Sequence, residues 1–152
     1  MAQLQKYKDD FVLLLESGFI AASQTDEDAA SKLFRAAQIL QPENVMPKVG
    51  FGYIHLLKLE LSQACKKFEE VLKADPHNEM ARAMLGLSTS LTVKEADKGE
   101  KILKEAMKNS NDPSIKNMAS TALDFVEKFV KKQPTPVQGQ TEQGKTQKKK
   151  GK

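Results

Sequence analysis

The chain contains no tryptophan and one cysteine in 152 residues. With a single thiol, Cys65, no internal disulfide can form, which fits a reducing cytoplasm. Long hydrophobic runs are also missing. The most apolar stretch, Phe11 to Ala22, is broken by Glu16, Ser17 and Gly18, so it is too short and too interrupted for a membrane span. The opening residues, Met-Ala-Gln-Leu-Gln-Lys, lack a basic region followed by an apolar one, and no signal peptide is expected. Motifs of catalysis are absent too: there is no nucleophile elbow, no glycine-rich phosphate loop and no His-Glu-x-x-His helix. No cluster has metal-ligand spacing, so neither a metal nor another cofactor is expected.

Charge of one sign is lacking in the body of the chain. The net charge is +4, and residues 133–152 alone hold Lys145, Lys148, Lys149, Lys150 and Lys152 against Glu142. The tail therefore accounts for the whole excess, and residues 1–132 are formally neutral with mixed signs, as on a solvated surface. The tail is rich in Gln, Thr, Pro, Gly and Lys and too poor in apolar residues to offset its ordering entropy, so disorder is expected over 133–152. Its Lys148-Lys149-Lys150 run offers the one place for nucleic acid or an anionic membrane, although such runs more often keep a tail in solution.

What the chain does have is a period. Gly18, Gly52 and Gly86 are equally spaced, and the same interval separates Ala30 from Ala64, Phe34 from Phe68, and Pro42 from Pro76. Apolar residues at three- and four-residue steps predict helices throughout and an all-α fold. The first helix is expected from Leu4 to Ser23, with Thr25-Asp-Glu-Asp28 as the capping box of the second. Gln41-Pro42 ends the second helix, because the residue before a proline is pushed out of the helical region. Asn44 and Pro47 open a third, reaching about Leu59, and 62–74 forms the fourth, with Ala64, Cys65, Phe68, Val71 and Leu72 inward. Asn78 caps the fifth, 79–91. In the sixth, 93–108, the register slips: Gly99 stands where strict period gives Lys98. Asp112-Pro113 starts a seventh helix, 113–132, whose stripe of Ile115, Met118, Ala119, Ala122, Phe125, Val126 and Phe129 suits a cap on the open end of an array.

A period of this length marks a helix–turn–helix unit that cannot cover its own apolar faces and is stabilised by stacking. The glycines fall on the first helix of each pair and the alanines on the second, so small residues facing each other are expected to bring the two helices close, with Phe34 and Phe68 filling the gap to the next unit. On Leu14, Gly18, Ala30, Phe34, Ala37 and Pro42, then Gly52, Ala64, Phe68 and Pro76, then Gly86 and Ala106, the chain resembles the tetratricopeptide repeat (TPR) family over roughly residues 8–110. It departs from the family in carrying Leu14, Lys48 and Arg82 where an aromatic usually opens each unit. The resemblance implies three TPR-like repeats stacked as a short right-handed solenoid in a domain of residues 1–132, closed by the C-terminal helix.

In such an array the first helices line the concave side. Val12, Leu15, Phe19 and Ala22 share one arc of the first helix. The same registration gives Met46, Val49, Tyr53 and Leu56, then Met80, Ala83, Leu87 and Ser90. A face meeting only water would be polar, and this one is almost wholly apolar. The expectation is a hydrophobic groove for an amphipathic helix or extended apolar segment. The competing expectation is ordinary core, covered by the N-terminal segment or the seventh helix. Carboxylate-clamp TPR domains use Lys, Arg and Asn here, so recognition of an acidic C-terminus is not expected. His55 and Cys65 offer the only imaginable base and nucleophile, and both read better as packing residues; no small-molecule substrate is expected.

Small three-repeat TPR proteins with an apolar groove include the chaperones of bacterial type III secretion. The stretches Val49-Gly-Phe-Gly-Tyr-Ile-His-Leu56 and Ala64-Cys-Lys-Lys-Phe-Glu-Glu-Val71 resemble the needle-subunit type. That resemblance implies a bacterial cytoplasmic chaperone holding the amphipathic C-terminal helix of a needle-type subunit, together with a small co-chaperone. The alternatives are a translocator chaperone, which holds an extended segment, and a general TPR adaptor.

Overall fold

A computed structural model describes residues 6–131, which are all-helical with no strand among them. Seven α-helices follow in order: α1 Phe11–Ser23, α2 Glu27–Leu40, α3 Met46–Leu57, α4 Leu61–Ala74, α5 Glu79–Ser90, α6 Ala96–Asn109 and α7 Pro113–Phe125. The tail and residues 1–5 lie outside the described residues.

The period in the sequence reappears in the backbone. Among the described residues the two non-glycines with positive φ are Thr25 (64°) and Leu59 (57°), again one period apart. Each ends the first helix of a pair in the same way. Thr25 N–H donates to Ala22 O and Asp26 N–H to Ala21 O; Leu59 N–H donates to Leu56 O and Glu60 N–H to His55 O. These are the paired bonds of a Schellman ending, in which a left-handed residue reverses the chain. The cap of α2 is consequently one residue later than the sequence suggests. Asp26, not Thr25, accepts the Ala29 N–H at 3.0 Å, because Thr25 is committed to the turn.

The other ends follow expectation. Gln41 and Asp75, each before a proline, leave the helical region at φ −135°. Asn44 Oδ1 accepts the Met46 N–H and Asn78 Oδ1 the Ala81 N–H, so α3 and α5 open on caps that also keep the period. The first helix is shorter than 4–23. Lys8–Asp10 form a 3-10 turn, and α1 begins at Phe11, the first buried side chain among the described residues.

Packing is serial. α1 lies on α2, α3 on α4 and α5 on α6; α2 meets α3, α4 meets α5 and α6 meets α7. The odd-numbered helices α1, α3, α5 and α7 also lie side by side. Phe34, Phe68 and Leu103 are fully buried at successive levels.

The repeated glycines work differently from the small-to-small contact expected of them. A Cβ on Gly18 would come within 2.6 Å of the Phe34 ring, and one on Gly50 within 2.5 Å of the same ring. Phe34 is thus wedged between its own unit and the next, with a glycine on each side. Gly52 clears the space for Phe68 in the same manner. In the third pair a 3-10 turn, Val93–Glu95, precedes α6 and shifts the register, and Leu103 stands against Gly86 instead of an aromatic. Gly99 is required there for another reason: a Cβ would overlap the Ser90 backbone.

Candidate partner-binding surface

The side-by-side odd helices carry the apolar registration noted in the sequence, and burial divides it. Val12 is 57% exposed; Leu15, Phe19, Met46, Tyr53, Met80 and Leu87 are half-buried. Val49 and Ala83 are fully buried and Leu56 is 6% exposed, so these three are core and not contact residues. Ala22 and Ser90 are buried as well. The division is geometric. Val49 and Leu56 sit inside the cluster of Phe68, Val71 and Met84, while Met46 and Tyr53 pack against it from outside and stay half-buried.

An aromatic line crosses the first two pairs. Phe51 packs on Phe34 at 5.7 Å, Phe34 on Phe19 at 5.1 Å and Phe19 on Tyr53 at 5.6 Å between ring centroids. It joins the buried wedge to the half-open face. Asn78 Nδ2 lies 3.9 Å from Met46 Sδ, placing that thioether at the junction of the second and third pairs.

The third pair's share of the face is partly covered. Ile115 of α7 joins Ala83 and Ala106 in one cluster, and Met80 and Met118 both pack against it. The seventh helix thus lies over the third pair, while the surface of the first two stays partly open. Phe125 and Phe129 depart from the expected stripe. They are 45% and 55% exposed, stacked on each other at 5.0 Å, where α7 gives way to a π-helical turn, Val126–Val130. Buried Val126 anchors that turn.

One apolar hollow went unread in the sequence. Tyr7, Asp10, Leu14, Ala36, Ile39 and Leu40 line a cavity of about 330 Å³ beside α1 and α2. One period on, the second unit has Lys48, Glu70, Lys73 and Ala74 at the positions of the four helical residues. That contrast is the signal a register comparison would have found.

The polar candidates have structural partners. His55 Nδ1 and Glu60 Oε2 are 2.6 Å apart, and Lys58 bonds both Glu27 and Glu60, tying the first turn to the second. The His55 and Lys58 hydrogen bonds hold the Glu60 carboxyl below its ordinary range. Cys65 Sγ lies 3.7 Å from Thr89 Oγ1, and burial raises its thiol, favouring the protonated form. His77 is exposed. Among the described residues no group of three His, Cys, Asp or Glu is placed to hold a metal ion, and no helix is long and apolar enough to cross a membrane.

Compared with known proteins, the chain matches no family model and no curated protein.

Proposed function

We propose that the seven helices form three TPR-like units of a right-handed solenoid, closed by α7. In this reading the protein is a bacterial cytoplasmic chaperone that holds an amphipathic helix of a secreted, self-assembling subunit of the needle type. The observation that carries the reading is the half-open, uncharged seam of Val12, Leu15, Phe19, Met46 and Tyr53. It suits a partner that presents an apolar face and carries no charge into the contact. Burying the client's self-assembly face there keeps it from polymerising. The gain is about 25 cal/mol per Å² of apolar area, reduced by the cost of association.

A small helical co-chaperone would sit at the outer face of α1. Ile54, which clusters with Ala22, Ala30 and Phe34 of the preceding unit, is buried, as is Pro47; their counterparts one period earlier, Ile20 and Leu13, are 57% and 63% exposed. A helix laid there would continue the stack, and Glu16 between the two would face a basic residue on it.

Affinity capture of the tagged protein from its native cytoplasm, with mass spectrometry of what is retained, tests this. Stoichiometric recovery of a small, helical, self-assembling protein that is lost with Tyr53→Glu supports the chaperone. Recovery only of a large assembly or nucleic acid, unaffected by Tyr53→Glu, overturns it in favour of an adaptor.

A further inference from the structure

We infer that the edge of the molecule where the odd helices end docks on an anionic bilayer surface, with exposed apolar tips entering the lipid interface and the basic tail supplying the attraction. This goes beyond the chaperone reading and does not depend on it.

The odd helices run in one direction, each of the first three followed by a helix that returns, so their C-terminal ends line one edge. Large apolar side chains stand exposed along it. Leu57 and Leu59 lie at the end of α3, Val93 in the turn after α5, and Phe125 and Phe129 at the end of α7. Leu59 and Val93 are one period apart and Leu57 and Phe125 two, so their placing follows the repeat. The first turn differs, with the polar pair Gln24 and Thr25.

Folding does not account for these side chains. Leu59 takes a left-handed φ of 57°, a conformation usually given to glycine, while its side chain stays in the open. Strain of this kind concentrates at sites that contact something else. Val93 is 76% exposed at the start of a 3-10 turn.

Charge selects the partner. The apolar tips are interleaved with Lys58, Lys94 and Lys128 and with Glu60, Glu95 and Glu127. A folded protein lying over the whole edge would have to desolvate these charges. A bilayer interface would not: apolar side chains enter it by about 5–10 Å while charged neighbours stay at headgroup level. Within the edge the charges are largely matched. Lys58 pairs with Glu27 and Glu60, Lys128 with Asp124, and Lys131 with Asp97 and Glu100. The attraction to anionic lipid therefore comes from residues 133–152, net +4, which follow Lys131 at this same edge. A few apolar tips or a short basic run alone binds a bilayer weakly; the two together give stable, reversible docking. Among the described residues no helix can cross the membrane, so the protein lies on it.

The test is flotation of the full chain with vesicles of phosphatidylcholine containing about a third phosphatidylserine, beside phosphatidylcholine alone. Binding to the anionic vesicles only is expected. Leu59→Asn with Val93→Asn should weaken it roughly tenfold with helicity unchanged, and so should Lys148→Gln, Lys149→Gln and Lys150→Gln together. The chain has no tryptophan, so Val93→Trp supplies a single reporter. Its emission should shift to the blue on anionic vesicles and be quenched by lipids brominated in the acyl chain. Absence of binding to anionic vesicles overturns the inference. So does binding that the Leu59 and Val93 double variant retains in full, or an unshifted reporter, since the tail would then act as a polycation on its own. None of these outcomes bears on client capture at Tyr53.

Discussion

Phe19 and Tyr53 stand one period apart and meet at 5.6 Å across α1 and α3. They occupy the same position in successive units and both pack against the same two buried clusters, but only Phe19 stacks on a buried ring. Phe19 also packs edge-on against buried Phe34 at 5.1 Å, so it belongs partly to the core. Tyr53→Glu should therefore abolish client capture with little loss of helicity. Phe19→Glu should cost about 2–4 kcal/mol of stability as well. Circular dichroism and denaturant unfolding beside a capture assay separate the two. Equal unfolding of both variants would mean that Tyr53 is core.

The wedge at Phe34 predicts a coupled pair. Gly50→Ala places a Cβ against the ring and should cost about 1–3 kcal/mol, since overpacking forces a shift in a close-packed site. Phe34→Leu alone also destabilises. The two together should lose less than the sum by about 1 kcal/mol or more, because the smaller side chain admits the new methyl. Gly99→Ala should find no such partner, as its obstruction is the Ser90 backbone. Additive losses for Gly50 and Phe34 would refute the wedge.

The turn at Leu59 predicts a gain. A leucine in the left-handed region costs roughly 1–2 kcal/mol, and its side chain, 70% exposed, contributes little packing in return. Leu59→Gly removes that strain at the expense of unfolded-state entropy. The net should be a stabilisation of about 0.5–1 kcal/mol, read as a rise in Tm. A fall in Tm would show that the leucine makes a contact worth more than its strain.

Periodicity made much of this architecture legible. Gly18, Gly52, Phe34 and Phe68 mark the level of each pair, and Pro42, Pro76, Asn44 and Asn78 mark its ends, because one chemistry recurs at one spacing. Four features were hidden. Thr25 and Leu59 occupy a conformation that glycine usually takes, so neither residue type announced it. Gly50 was obscured by its neighbour Gly52, although both receive phenylalanine rings. The division between Val49, buried, and Tyr53, half-open, depends on how closely α1, α3 and α5 approach one another, a tertiary distance that helical spacing cannot supply. Phe125 and Phe129 fitted an apolar stripe at helical spacing, and only the packing of α7 on α5 and α6 shows which members of the stripe are left uncovered.

Glu60 predicts how the first two turns respond to acid. Its carboxyl is lowered from 4.5 chiefly by the His55 hydrogen bond and next by Lys58. A depressed acid contributes stability that is present above its unfolded pKa and is lost as pH falls through the folded one. The contribution should thus persist at neutral pH and disappear progressively below about 4.5. Asp97, lowered from 3.8 by Lys131, should behave likewise between α6 and the residue that ends the π-helical turn. Lys131 is raised above 10.5 by Asp97 and Glu100, so its share is complete below that value and is lost only as pH rises through the higher folded pKa. His55→Ala removes the largest cause acting on Glu60 and should return its titration toward 4.5 while leaving Asp97 unmoved. Carboxyl-carbon NMR titration of the two acids reads both shifts in one experiment. If Glu60 titrates unchanged in His55→Ala, the 2.6 Å contact does not hold the carboxylate in solution, and the tie between the first and second turns rests on Lys58 alone.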